Sequence, residues 1–126
     1  MSFIKSFRDL KVWQKAHELV ILIYKITVNF PKTEIYALVS QMRRAAVSVV
    51  SNIVEGFKRR SVKDSLNFYN MADASLEELK YQLFLSYELK YITEENYNEA
   101  LALAEEVSKM LHGWVSSQRR NANLNS

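Results

Sequence analysis

Two histidines, His17 and His112, are the only imidazoles in a chain of 126 residues that contains no cysteine. Without cysteine there is no thiolate nucleophile or thiolate metal ligand. A carboxylate-bridged metal pair inside a helical bundle needs Glu-x-x-His on two of the helices. Neither histidine has a glutamate three residues before it; His17 is preceded there by Gln14. There is no Gly-rich phosphate loop, no Gly-x-Ser-x-Gly turn and no carboxylate pair isolated in an apolar setting. His17 falls near the apolar edge of its helix and reads as an ordinary hydrogen-bonded histidine. We expect no metal, no cofactor and no catalysis.

The chemistry these residue types favour instead is electrostatic. Residues 1–63 carry 12 basic against 4 acidic side chains, and residues 64–126 carry 5 against 10, within a net charge of +3. The densest cluster is Lys58-Arg59-Arg60 with Lys63, and Lys5, Arg8, Lys11 and Lys15 line the start of the first helix. Lys58, Arg59, Arg60, Lys63, Lys11 and Lys15 are therefore the expected contacts to RNA or DNA phosphates. No base-reading module is recognisable, so such contacts would be indifferent to sequence. The alternative is that the two halves neutralise each other across bundle and subunit interfaces. Tyr69, Tyr87 and Tyr97 stand at core spacing and are expected to pack rather than stack on bases.

A second constellation lies in the stretch SQMRRAAVSVVSNIVEG, residues 40–56. At about 100° per residue, Gln41, Arg44, Ser48, Asn52, Glu55 and Arg59 form one narrow stripe. A solvated outer face would favour Lys and Glu, whereas Gln41, Ser48, Ser51 and Asn52 are short hydrogen-bonding groups suited to a close contact. The stripe reads either as a solvated face or as a polar network that fixes register at a subunit interface. Arg43 lies inside the apolar arc, as a snorkelling stem or an interface ion pair. That arc, from Leu38 to Phe57, spreads over about 200°, wider than one bundle seam requires, so a second copy is expected to cover the surplus.

These residues must be carried by helices. Gly56, Gly113 and Pro31 are the only glycines and proline, too few turn-formers for a β-rich fold. Apolar residues at three- and four-residue steps predict helices over 8–29, 33–57, 62–91 and 94–117, with a frayed tail over 121–126. Thr33, Ser61 and Thr93 are the expected N-caps, and Pro31 and Gly56 the expected stops. The whole chain reads as a single domain, an antiparallel up-down-up-down four-helix bundle. The longest apolar run, Leu19 to Tyr24, falls far short of the roughly 20 residues of a membrane span. No membrane partner is expected, and a cytoplasmic setting fits.

The pattern Phe30-Pro31, Ser40-Gln41, Arg43-Arg44-Ala45-Ala46, Ser48, Ser51-Asn52-Ile53, Glu55-Gly56-Phe57, Arg59 and Ser61 resembles the proteins encoded by intervening sequences in bacterial 23S ribosomal RNA genes. Asp9-Leu10, Val12-Trp13, Ala16 and Tyr24 are similar to that family's opening, and Phe68, Ala72, Ser75-Leu76, Glu78-Leu79, Gln82-Leu83 and Tyr91-Ile92 to its third helix. The resemblance implies an all-α bundle assembled into a ring-like homo-oligomer of five subunits, as in the similar accessory proteins of diversity-generating retroelements. Those relatives bind nucleic acid and a reverse transcriptase. The partners so implied are further copies of the chain, RNA or DNA, and a reverse-transcriptase-like or ribosomal protein. In a ring, each basic cluster would be repeated into a multivalent phosphate-binding surface. The family often has proline where Val50 stands and glycine where Lys58 stands; the first change leaves a helix kink open, and the second adds a charge.

Overall fold

Four long helices enclose one apolar core in the computed structural model, which describes residues 4–122. They are α1 (Lys11–Thr27), α2 (Ser40–Lys58), α3 (Val62–Glu88) and α4 (Glu94–Asn121). No strand occurs among the described residues. Each helix packs on two others: α1 on α2 and α4, and α3 on α2 and α4. Leu19, Ile23, Met42, Ile53, Leu76, Leu79, Leu83 and Leu111 are fully buried at the centre. Each such side chain contributes about 1.5–3 kcal/mol by leaving water.

Local chemistry sets the helix ends, and several expected boundaries move, the end of α1 among them, at Thr27 rather than residue 29. A 3₁₀ turn, Phe7–Asp9, precedes α1. The Ser6 hydroxyl and Asp9 carboxylate close a capping box around it, and Leu10 then takes an extended backbone, so α1 begins at Lys11 rather than residue 8. α3 stops at Glu88 rather than 91 because Lys90 turns left-handed at φ 65°. The Tyr91 and Lys90 amides then donate to the Ser86 and Tyr87 carbonyls at 2.9 and 3.0 Å, a Schellman closure. α4 continues past 117 to Asn121, with Arg119 and Arg120 at the negative end of its dipole. Of the tail expected to fray, residues 123–126 lie outside the described residues.

The approach to α2 differs most from expectation. A 3₁₀ turn, Lys32–Glu34, runs into a π-helical turn, Ile35–Val39, before regular α geometry starts at Ser40. Thr33 therefore lies inside a turn that starts from Pro31 and makes no capping bond. Ser61 and Thr93 do cap: their hydroxyls accept from the Asp64 and Asn96 amides at 3.1 and 3.0 Å. Val50 sits in uninterrupted α-helix, and the irregularity of this segment is the π turn.

Gly56 is not a stop signal. It is helical and buried two residues before the end of α2, and its φ is negative. A Cβ there would land on the ring of Tyr69, 2.8 Å from Cδ1 and 2.9 Å from Cζ, so glycine lets α3 close onto α2. The Ser65 hydroxyl adds a 2.7 Å bond to the Gly56 carbonyl. Tyr69 is buried, while Tyr87 and Tyr97 stack on each other at 4.8 Å against the core. All three pack as their spacing predicts.

The broad apolar arc of α2 is largely covered within the chain. Met42, Ala45, Ala46, Val49 and Ile53 are buried, and Leu38, Val50 and Phe57 pack against them. α3 takes one flank and α1 the other, because a helix in such a bundle has two neighbours. Of the α2 apolar side chains only Val47 stays exposed, at 40%. The surplus read from the wheel is thus not the reason a second copy would be needed.

Candidate nucleic-acid interface

One end of the molecule gathers the first residues of α1, the α2–α3 connection and the last turn of α4. Lys5 and Phe7 line a cleft with Val54, Phe57 and Lys58. Leu10 and Lys11 line a second with Met110, Trp114 and Ser117. Ser65 is bonded to Gly56 across the connection. Residues 4–11, 55–64 and 116–122 consequently bring together Lys5, Arg8, Lys11, Lys58, Arg59, Arg60, Lys63, Arg119 and Arg120 against Asp9, Glu55 and Asp64. At the other end, residues 25–41 and 84–99 hold Lys25, Lys32 and Lys90 against Glu34, Glu88, Glu94, Glu95 and Glu99. Formal charge is +6 at one end and −2 at the other.

The nominated cations are not equivalent. Lys58, Arg60, Lys63 and Lys11 are exposed and make no ion pair among the described residues. Arg59 is paired with Glu55 at 2.6 Å and lies 4.4 Å over the Phe68 ring. Lys15 is half-buried, a turn further from the end, between Glu18 at 3.6 Å and Glu106 of α4 at 3.7 Å. Arg119 and Arg120 escaped the sequence reading because they lie in the acidic half and just beyond the expected end of the last helix at 117. Two adjacent arginines at a helix C-terminus were the signal.

The polar stripe divides. Ser48 and Ser75 share a hydrogen bond of 2.8 Å between α2 and α3, and Asn52 Nδ2 donates to the Ser48 carbonyl and hydroxyl at 2.9 and 3.1 Å. This half-buried cluster fixes the register of α2 on α3. Glu55 is engaged with Arg59, while Gln41 and Arg44 are exposed without polar partners among the described residues.

Arg43 is turned onto α1 in the same chain. Its Nε donates to Thr27 Oγ1 at 3.0 Å and its terminal nitrogen to the Tyr24 carbonyl at 3.3 Å, with the guanidinium 4.6 Å over the Tyr24 ring. It therefore binds one carbonyl and one hydroxyl in the last turn of α1, a role that neither a snorkelling stem nor an interface ion pair describes.

The histidines have structural partners. His17 is exposed and stacks on Trp13 at 5.2 Å rather than being held, among the described residues, by the hydrogen bond expected of it, and His112 Nε2 lies 3.2 Å from Asp73 Oδ1. Among the described residues no three His, Asp or Glu side chains converge as a metal site, and no helix is long and apolar enough to cross a membrane.

At the acidic end the two connections are tied together. The Tyr91 hydroxyl donates to Glu34 Oε2 at 2.7 Å, and the Phe30 and Tyr91 rings lie 5.4 Å apart. The hydrogen bond to Glu34, followed by burial and the glutamate charge, raises the Tyr91 pKa above 10.0. Burial likewise raises that of Tyr69, opposed by Trp114.

The curated proteins contain no match to this chain. Among solved structures, the crystal structure of a protein of unknown function from the S23 ribosomal protein family of Bacteroides thetaiotaomicron is similar. It has a TM-score of 0.74 and 29% sequence identity, over 82% of this chain and 97% of that one. The segment 8–113, which carries the apolar core, the α2 stripe and most of the basic end, matches the family model described as 23S rRNA-intervening sequence protein, and the chain belongs to that family.

Proposed function

We propose that the protein is a non-enzymatic homo-oligomer that holds RNA or DNA by its backbone phosphates and presents it to a protein partner. The observation that carries this reading is the convergence of nine cations with three carboxylates at one end of the bundle. Cross-helix contacts such as Ser48–Ser75, Met42–Ser86 and Lys80–Ser108 fit antiparallel neighbours. In that arrangement two helix N-termini and two C-termini share each end, so the macrodipoles cancel and side-chain charge sets the potential. A phosphate backbone meets such a surface with counterion release and no sequence preference. Phe7 and Phe68 lie beneath Arg8 and Arg59 at 5.9 and 4.4 Å, which supports backbone contact rather than base stacking.

Association of several copies, five in the arrangement its family resemblance implies, would repeat the positive end and raise avidity. A reverse-transcriptase-like or ribosomal partner and a cytoplasmic location belong to the same reading. The rival is an assembly scaffold alone, favoured by the carboxylates that already neutralise Arg59 and Lys15. A salt titration of binding to a generic RNA duplex separates them. Phosphate binding predicts log K falling linearly with log salt by about 0.9 per phosphate engaged; no binding at low salt, or a flat dependence, favours the scaffold.

A further inference from the structure

Five of the eleven exposed large apolar side chains among the described residues, Tyr24, Val28, Ile35, Tyr36 and Val47, line one groove of about 750 Å³ between the end of α1 and the start of α2. Tyr36 is 96% exposed, held out by the π turn that precedes α2. Contiguous exposed apolar side chains, when they form a large patch, mark contact surfaces. The charged side chains lining the groove are Lys32, Arg43 and Arg44, with no carboxylate among them.

Three more of the eleven, Met71, Tyr81 and Phe84, lie on α3, and a fourth, Leu89, is its C-cap. Tyr81 and Phe84 are one turn apart and 62% and 48% exposed. Glu77 stands four residues before Tyr81 and Glu88 four residues after Phe84, so both border this pair on the helix surface. Lys80, next to Tyr81 in sequence, is shared between Glu77 at 3.1 Å and Glu105 at 3.5 Å, so two carboxylates already offset its charge.

We infer that the groove around Tyr36 receives the Tyr81–Phe84 strip of a second copy, with Lys32 and Arg44 facing Glu77 and Glu88. The inference rests on the proposal above that copies associate, and it replaces the α2 polar stripe with a different contact surface. Charge complementarity selects the occupant: the chain itself carries an aromatic strip of the sign the groove requires. Groove and strip sit on different faces, one on α1 and α2 and the other on α3. The contact is therefore heterologous, each copy giving one patch and receiving the other, so it propagates and closes as a ring if the rotation permits.

Two blocked variants test this by native mass, with helicity checked by circular dichroism. Tyr36→Asp removes the groove and Tyr81→Asp removes the strip. The wild type should be multimeric and each variant monomeric. An equimolar mixture should form a heterodimer of twice the chain mass, because one intact groove and one intact strip remain. If an aspartate unfolds the chain, Arg44→Glu and Glu88→Lys repeat the design and should reassociate on mixing. A monomeric wild type, an undiminished mass in either variant, or a mixture that stays monomeric overturns the inference. Salt-dependent RNA binding by a monomeric wild type would sink this interface together with the proposed association of copies and leave the proposed phosphate binding standing. A wild-type multimer that binds no RNA would do the reverse.

Discussion

Replacing each of the two glycines by alanine should move stability in opposite directions. In α2, a Cβ on Gly56 would meet the ring of Tyr69, which is 2% exposed and fixed between helices. Its placement 2.8 and 2.9 Å from Cδ1 and Cζ is well inside van der Waals contact, so the ring or the helix must shift. Overpacking of this kind costs about 1–3 kcal/mol, and the severity of the overlap places Gly56→Ala toward the upper value. Better helix propensity returns about 1 kcal/mol. The net loss is about 2 kcal/mol, or about 8 °C in Tm for a domain of this size. A Cβ on Gly113 in α4 meets nothing within 4 Å, so Gly113→Ala should gain about 0.5–1 kcal/mol. Urea and thermal melts at one fixed protein concentration measure both. Adding Tyr69→Leu to Gly56→Ala should abolish the alanine penalty, because the ring that clashes is gone. A Gly56→Ala chain as stable as wild type would refute the reasoning, since propensity would then outweigh packing.

Arg43→Ala removes two hydrogen bonds and a cation–π contact at the end of α1. It should cost about 1.5–3 kcal/mol in urea, and Arg43→Lys should recover little, because lysine lacks the planar fork. For Tyr91 the sign follows from its raised pKa: the folded state favours the neutral phenol, so its contribution is present below pH 10.0 and is lost as pH rises further. Tyr69 acts in the same direction. The wild-type urea midpoint should fall as pH rises past the ordinary tyrosine value, and that of the Tyr91→Phe variant should fall less; identical falls would remove Glu34 as the cause.

Signals confined to a few neighbouring residues were readable in the sequence. Ser61 and Thr93 cap because a hydroxyl and an amide three residues later are enough. The core residues on α1 to α4 followed from periodicity because each helix is long. Gly56 was misread because its reason is a ring on another helix. Thr33 failed as a cap because the turn from Pro31 had already enclosed it. The wheel over-read α2 because a helical wheel does not say how many neighbours a helix will have. It also missed Tyr36, since a π turn breaks the 100° step on which a wheel depends. The cluster at 58–63 was visible as a run, while its union with Arg119 and Arg120 depends on how the helices return to one end.

The claim that matters most is positional: phosphates are held at one end of the bundle. Two variants that remove the same charge put it to the test, Lys58, Arg60 and Lys63 to Ala at the positive end, and Lys25, Lys90 and Lys109 to Ala elsewhere. Affinity for an RNA duplex across a salt series should drop steeply for the first, with a slope shallower by up to about 2.7 per engaged subunit, and change little for the second. Equal losses in both variants would mean that only net charge matters, and the proposed interface would be wrong.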